Sequence, residues 1–296
     1  MSSSRGDSSS DGASDSSSSG VDAGSTADGA RDGSVSSSTD GALEAGIDGS
    51  VDGAAASGEG GATAGCAGKP YKLCEDFNTG TAGQLPAEWT LQKSYGAESP
   101  QNAALATDEF HSPPMSLKAE DLGQSGAARA LRSLAGLGVT AGKHWGRIFY
   151  KMQVPTPMYD GFLQNTWVAL TSAGGQTQVV DTVTMSNGKD QGTHQWLTIP
   201  PAGDSCMCCG SAYDWTFDNA WHCTEWYIDG PEIGSYRFFF DSIEVSIPGL
   251  AGKTCTEVPD GFTGVLVGSL TYAPPPGPRV VWFDDLAIDD NRIGCN

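Results

Sequence analysis

Arg147-Ile148-Phe149-Tyr150-Lys151-Met152-Gln153 is the stretch that decides the fold. Ile148, Tyr150 and Met152 alternate with Arg147, Phe149, Lys151 and Gln153, the two-residue period of a strand with one face against a core. Similar short runs recur at 166–171, 177–185, 222–228, 236–241, 265–272 and 280–288. They are rich in Val, Thr, Phe, Tyr and Trp, which suit a pleated, half-buried surface. Pro155-Thr156-Pro157, Asn187-Gly188, Pro200-Pro201 and Pro274-Pro275-Pro276 punctuate them. No stretch keeps an i, i+3, i+4, i+7 pattern for three turns; the nearest, 127–137, is short and contains Gly136. Strand after strand without intervening helices predicts an all-β fold, two packed antiparallel sheets in a jelly-roll-like sandwich.

The strand pattern begins only at Cys66. Residues 1–65 contain no Phe, Tyr or Trp and carry 11 acidic against 2 basic residues, while all 26 aromatics fall in 66–296. A Ser/Gly/Asp-rich segment of this kind cannot bury enough apolar surface to offset ordering its backbone. Residues 1–65 therefore read as a disordered tether and 66–296 as one β-jelly-roll domain. Arg5-Gly6-Asp7 spells an adhesion tripeptide, but in so Gly-, Asp- and Ser-rich a segment it reads as chance. The formal net charge of −20 repels phosphate backbones and anionic headgroups, which argues against nucleic acid and membrane surfaces as partners. No apolar run approaches the ~20 residues of a spanning helix. Eight cysteines suit an oxidising compartment. Met1 nevertheless leads straight into polar sequence, so the signal segment is expected to be absent from this sequence. The tail resembles a bacterial lipoprotein spacer, with Met1 standing where a lipid-anchored cysteine would be.

The ending Val281-Trp282-Phe283-Asp284-Asp285-Leu286-Ala287-Ile288, followed by Arg292-Ile293-Gly294-Cys295, resembles the closing strand of the fungal cellulose-induced protein family and its bacterial relatives. These are concanavalin-like jelly rolls related in shape to polysaccharide lyases. Four further segments match in order: Glu75-Asp76-Phe77-Asn78, His111-Ser112-Pro113-Pro114-Met115-Ser116-Leu117-Lys118, His222-Cys223-Thr224-Glu225-Trp226-Tyr227 and Phe262-Thr263-Gly264-Val265. The resemblance covers the body, with a poorly aligned middle at 155–215. It implies a Cys223–Cys295 disulfide and one structural Ca²⁺ held by Asn78, Ser112, the Met115 carbonyl and Asp284 or Asp285, hard oxygen donors that suit this ion. Asn78 stands where the family has a carboxylate, and Pro113-Pro114 replace small residues. Without a metal, Asp284 and Asp285 would bond turn amides. Cys66 and Cys74 either pair with each other or staple the first strand. The pairing of Cys206, Cys208, Cys209 and Cys255 is open. Disulfides are expected there rather than a thiolate metal site with His194 or His222, because paired C-x2-C spacing is absent.

Gly-x-Ser-x-Gly, His-Glu-x-x-His, P-loop and dinucleotide signatures are all missing. Among the four histidines, His111 and His222 lie inside structural motifs and His144 is expected to be exposed. His194 is the general-base candidate, with Tyr150 as its companion. A lyase must neutralise a uronate carboxylate, abstract the proton α to it and protonate the leaving oxygen. At the family's cleft histidine and arginine this chain has Asn165 and Val179. The remaining set of Arg147, Asn165, Trp167, Gln176, Gln178 and Asp181, with Tyr150 alongside, suits a neutral, hydroxyl-bearing sugar. Amides and carboxylates bond hydroxyls, and aromatic faces stack on pyranose rings. Trp89, Trp226 and Trp282 are expected in the core; Trp167, Trp196, Trp215 and Trp221, in or next to the divergent region, are either buried as well, the commoner state of Trp, or offer a sugar-stacking face. A glycosidase pair of Glu225 with Asp181 or Asp241 is a further arrangement. The first reading is a surface-tethered domain that binds plant-type polysaccharide. A lyase acting on uronate-containing glycan comes second, and a structural or adhesive lipoprotein without glycan ligand third.

Overall fold

A computed structural model describes residues 65–92, 102–122, 126–140, 142–155, 162–172, 177–186, 191–199, 206–229, 236–245, 261–271 and 277–296. The chain divides into two compact units, Met1–Ala56 and Ser57–Asn296, and every described residue lies in the second. Residues 1–64 of the expected tether lie outside the described residues.

Fifteen strands and no helix occur among the described residues. They are β1 (Leu73–Glu75), β2 (Trp89–Gln92), β3 (Asn102–Ala106), β4 (Ser116–Asp121), β5 (Gly126–Ser133), β6 (Lys143–Met152), β7 (Phe162–Thr171), β8 (Thr177–Ser186), β9 (Gln191–Ile199), β10 (Cys206–Thr216), β11 (His222–Asp229), β12 (Arg237–Phe240), β13 (Ile243–Val245), β14 (Gly264–Thr271) and β15 (Arg279–Asp289). One sheet runs β13-β12-β11-β6-β15-β4-β3, with β1 also paired to β15; the other runs β10-β9-β8-β7-β14-β5-β2. All pairings are antiparallel. The fold is thus the expected two-sheet jelly-roll sandwich. The nearest approach to a helical pattern, at 127–137, is largely strand β5.

The core fills the space between the sheets. Ile148, Tyr150 and Met152 of β6, Trp226 and Ile228 of β11, Phe238 and Phe240 of β12, and Phe283, Leu286 and Ile288 of β15 pack in one cluster with Trp89, Trp167, Val168, Leu170, Val265 and Val267 of the second sheet. Each large apolar side chain taken fully out of water contributes about 1.5–3 kcal/mol. Trp226 fits because its cross-strand partner is Gly146: a Cβ there would lie 2.0 Å from the indole.

Two bulges decide which side chains reach this core. On β7, Thr166 pairs with Thr182 and Val168 with Asp181, leaving Trp167 as the extra residue, so Trp167 and Val168 both pack inward. On β15 the pairing with β6 shifts between Asp284 and Ala287, and Asp285 takes φ 51°. Trp282 differs from expectation. It follows Lys118 and Lys151 in register, outside the core cluster, and its indole N–H donates to Asp108 Oδ1 at 3.0 Å. His144 also differs: it is fully buried rather than exposed, its Nδ1 3.3 Å from the Thr140 carbonyl and its ring edge-on to Phe262. Burial lowers its pKa from 6.5 to about 4, against the smaller pull of the Thr140 carbonyl and Asp290.

Polar groups between the sheets are tied together. The Arg279 Nη2 donates to Asp121 Oδ2 at 2.5 Å and to Thr271 Oγ1 at 2.9 Å, and Thr271 Oγ1 also bonds Asp121. All three side chains are buried. Two disulfides close the described body: Cys66–Cys74, with Cα atoms 5.4 Å apart, and Cys223–Cys295, with Cα atoms 5.8 Å apart and 72 residues between them in sequence. The latter is the pairing the family resemblance implies. The pairing of Cys206, Cys208, Cys209 and Cys255 lies outside the described side chains. Disulfides of this kind mark an oxidising compartment, as in secreted or surface proteins. Among the described residues, no helix is long and apolar enough to cross a membrane.

Candidate functional site

The β15 bulge makes the first candidate site. Adjacent strand residues normally point to opposite faces, but the extra residue here turns Asp284 and Asp285 to the same corner. Both side chains are fully buried. Asp284 Oδ2 accepts the main-chain N–H of His111 (2.8 Å) and Ser112 (2.9 Å), and Oδ1 accepts the N–H of Asp285 (2.8 Å). Asp285 Oδ1 accepts from Ser112 Oγ (2.9 Å) and from Cys66 N–H (3.2 Å), while Oδ2 lies 2.7 Å from His111 Nδ1. Gly65 permits this approach, since a Cβ there would lie 2.1 Å from Asp285 Oδ1. The far end of the same loop is held by Asn78, whose Oδ1 accepts the Met115 N–H at 3.0 Å.

Of the residues named for calcium, Ser112 meets Asp284 and Asp285 at one end of the 111–115 loop, and Asn78 meets the Met115 N–H at the other. Burial, reinforced by the Asp285 charge, pushes the Asp284 pKa up to about 8. The donor set consists of carboxylate, hydroxyl, amide and main-chain oxygens, a chemistry that fits Ca²⁺. Among the described residues, no cluster of three or more His, Cys, Asp or Glu side chains is placed to hold a metal, so ligands beyond the aspartates would be neutral oxygens.

Among the described side chains, the expected sugar-contact residues do not line one open groove. Tyr150 and Trp167 meet at 4.8 Å in the sealed core, and the Tyr150 hydroxyl accepts from Thr224 Oγ1 at 3.2 Å. Neither is available as a stacking platform or proton carrier, because period-two alternation with the β7 bulge turns both inward. Asn165 is also fully buried, its Oδ1 accepting from Ser269 Oγ at 3.2 Å. Arg147 lies on the opposite side of β6 from Tyr150, on the outer face of the first sheet. There its Nη1 donates to the Gly294 carbonyl (3.2 Å), and its guanidinium sits over Phe149 (5.2 Å) and Tyr71 (5.9 Å). Burial lowers its pKa, against the pull of Tyr71, Asp285 and Glu225. It clamps the two chain ends instead of lining a groove.

Gln176 lies outside the described residues. For Gln178, Asp181 and His194 the backbone is described: Gln178 pairs with Leu170, Asp181 with Val168, and His194 with Val183, itself opposite Asn165. The glycosidase pairing loses its members to other work. Glu225, fully buried, accepts from Gly294 N–H (2.7 Å) and Arg292 Nε (3.0 Å), and Asp241 accepts from Cys223 N–H (2.9 Å). Of the tryptophans in or next to the divergent region, Trp221 is half-buried and edge-on to His111 at 5.9 Å.

Sequence reasoning missed Arg129. On β5, Ala130 faces the core opposite Val267, whereas Leu131 packs with Leu266 and Ala169 on the other side of the second sheet. Arg129, two residues from Leu131, shares that outer face with its cross-strand neighbour Gln92, and Nη2 lies 3.5 Å from Gln92 Oε1. Arg129 is only 4% exposed. The second sheet is therefore not short of cations, contrary to the expectation drawn from Asn165 and Val179. The signal available was an arginine set in an alanine run, 127–130, where small neighbours hide the alternation.

No protein-family model and no curated protein matches the chain. Solved structures similar to it include a cellulose-induced protein, Cip1, at 16% identity and TM-score 0.51, the match covering 76% of this chain and 100% of that one. An endo-β-1,4-glucuronan lyase from the fungus Trichoderma reesei is similar at 11% identity and TM-score 0.47, over 75% of this chain and 96% of the other. An alginate lyase, Aly36B, is similar at 10% identity and TM-score 0.48, over 75% and 97%. At these identities the likeness is one of fold: a jelly-roll sandwich of the kind that Cip1 adopts.

Proposed function

We propose that the chain is an exported, surface-tethered jelly-roll module that binds plant-type polysaccharide. The observation that carries this reading is the sandwich itself, shared across the body with a protein titled cellulose-induced. The fold offers the outer face of the second sheet, where Thr90, Gln92, Arg129 and Leu131 alternate outward on β2 and β5. Affinity electrophoresis of the full chain through gels containing neutral or uronate polysaccharides tests it. Retardation by one of them is expected, and unaltered mobility in all of them would leave the structural, adhesive reading.

A lyase acting on uronate-containing glycan is the second reading; it would need the buried Arg129, beside Gln92, to reach the uronate carboxylate when substrate binds. Release of unsaturated product from glucuronan or alginate, read by ultraviolet absorbance and lost in Arg129→Ala, is the outcome that would place it first.

The same proposal includes a structural Ca²⁺ at Asn78, Ser112, the Met115 carbonyl and Asp284. Bound there, the ion would neutralise buried negative charge and tie the 111–115 loop to β15. An N-terminal lipid anchor would hold the module at the cell surface, which intact-mass analysis of protein from its native source would detect.

A further inference from the structure

We propose that His222 is a pH-operated clasp that fastens the 217–221 turn to the β12–β13 hairpin turn and so holds Trp221 in place. His222 Nδ1 lies 2.7 Å from Asp241 Oδ2, and Nε2 lies 3.0 Å from Asp218 Oδ1. Only the imidazolium has a proton on both ring nitrogens, so both contacts are hydrogen bonds only in the charged form. The ring stacks on Phe240 with centroids 5.1 Å apart, which fixes the direction of both nitrogens.

Each carboxylate also organises its own turn. Asp218 Oδ1 accepts the Ala220 N–H at 2.9 Å, closing the 217–221 turn from within. Asp241 Oδ1 accepts the Cys223 N–H at 2.9 Å, and the Asp241 N–H returns a bond to the Cys223 carbonyl at 2.9 Å. Asp241 and Ser242 form the two-residue turn closed by the Phe240–Ile243 pair, with φ values of 47° and 70°. That conformation favours Asn, Asp and Gly and suits Ser poorly. Side-chain bonds from Asp241 hold it.

Among the described residues, the charged groups facing His222 are Asp218 from the 217–221 turn and Asp241 from the hairpin turn. β12 presents the Phe240 ring, and on β6 the cross-strand partner is Tyr150, whose hydroxyl is turned to Thr224. Burial opposes the imidazolium, but Asp241 and Asp218 outweigh it and lift the pKa above 6.5. A folded-state pKa above the unfolded one adds stability that is complete below the unfolded value and is lost as pH rises through the folded value. On losing its proton, the ring can donate to one aspartate only. The other carboxylate then faces a lone pair, and where that is Asp218 the 217–221 turn loses its tie to the imidazole. Trp221, between this turn and His111, is the side chain freed to move.

The test is a pH titration of the full chain by NMR. It follows the His222 imidazole together with hydrogen exchange at the Ala220 and Cys223 amides, corrected for intrinsic base catalysis. A His222 midpoint above 6.5 is expected, with protection of the Ala220 amide falling about tenfold per unit of pKa difference as pH crosses that midpoint. The β4 amide of Ala119 should stay constant. In His222→Gln, Ala220 should show the low, alkaline-type protection at every pH. A midpoint at or below 6.5, or equal Ala220 protection on either side of it, overturns the proposal. The wild-type titration decides this even if the variant does not fold.

Discussion

Strand β15 carries two buried acidic sites that meet the same electrostatic problem in opposite ways. At its start Asp121 is neutralised by Arg279 and bridged by Thr271, so the charge leaves water already paired. At the bulge, Asp284 and Asp285 are equally buried, but they face main-chain N–H groups, a serine hydroxyl and His111. Neutral donors satisfy the lone pairs without cancelling the charge. Burial costs several kcal/mol per ion, and the difference between the sites is who offsets it. The first is complete within the protein and locks one sheet onto the other. The second answers burial differently, with the Asp284 pKa pushed up to about 8 by burial and by the Asp285 charge.

The comparison breaks most readily at the closed site. Arg279→Met should cost about 3–5 kcal/mol in urea denaturation, because Asp121 is then left charged and buried. Adding Asp121→Asn should recover most of that loss; strictly additive losses would show that the two are not a unit. A third solution to the same problem is His144, which stays neutral. Its pKa falls from 6.5 to about 4, so its stabilising effect is present above 6.5 and lost as pH drops toward 4. The loss should reach roughly 3 kcal/mol, and His144→Gln should remove that pH dependence from urea midpoints. The smallest effect concerns the second site. Ca²⁺ at a hundredfold its dissociation constant should stabilise the chain by about 2.7 kcal/mol, read as a rise in melting temperature that chelator reverses. Asp284→Asn should abolish the rise and Asp121→Asn should not. A rise of equal size in both variants would mean the ion binds elsewhere.

Much of the scaffold was legible because it depends on periodicity. The runs at 222–228 and 280–288 fall within β11 and β15, and the run at 147–153 falls within β6 but for Gln153. The Asp284-Asp285 doublet within an apolar strand stood out in the sequence, and both carboxylates accept main-chain N–H groups, as they would without a metal. Orientation was harder to read. Alternation separates two faces without saying which is covered, and in β6 both are: Phe149 and Tyr150 are each buried. A bulge then shifts the phase by one residue, as at Trp167, and no residue type in Asn165-Thr166-Trp167-Val168 marks it. His144 was misplaced because the chain segment that covers it is remote from its own neighbours in sequence, Phe262 among them.

The position of β15 has a consequence for how the molecule is made. β15 lies between β6 and β4, and β14 lies between β7 and β5. The final two strands of the chain are therefore the middle of both sheets, and Cys223 waits for a partner just beyond them. Neither layer can close before β14 and β15 have been made and have entered it. Long-range pairing of this sort is slow and leaves unpaired edges exposed in the interim. Closing both sheets, and with them the Cys223–Cys295 bond, is therefore a late event in folding.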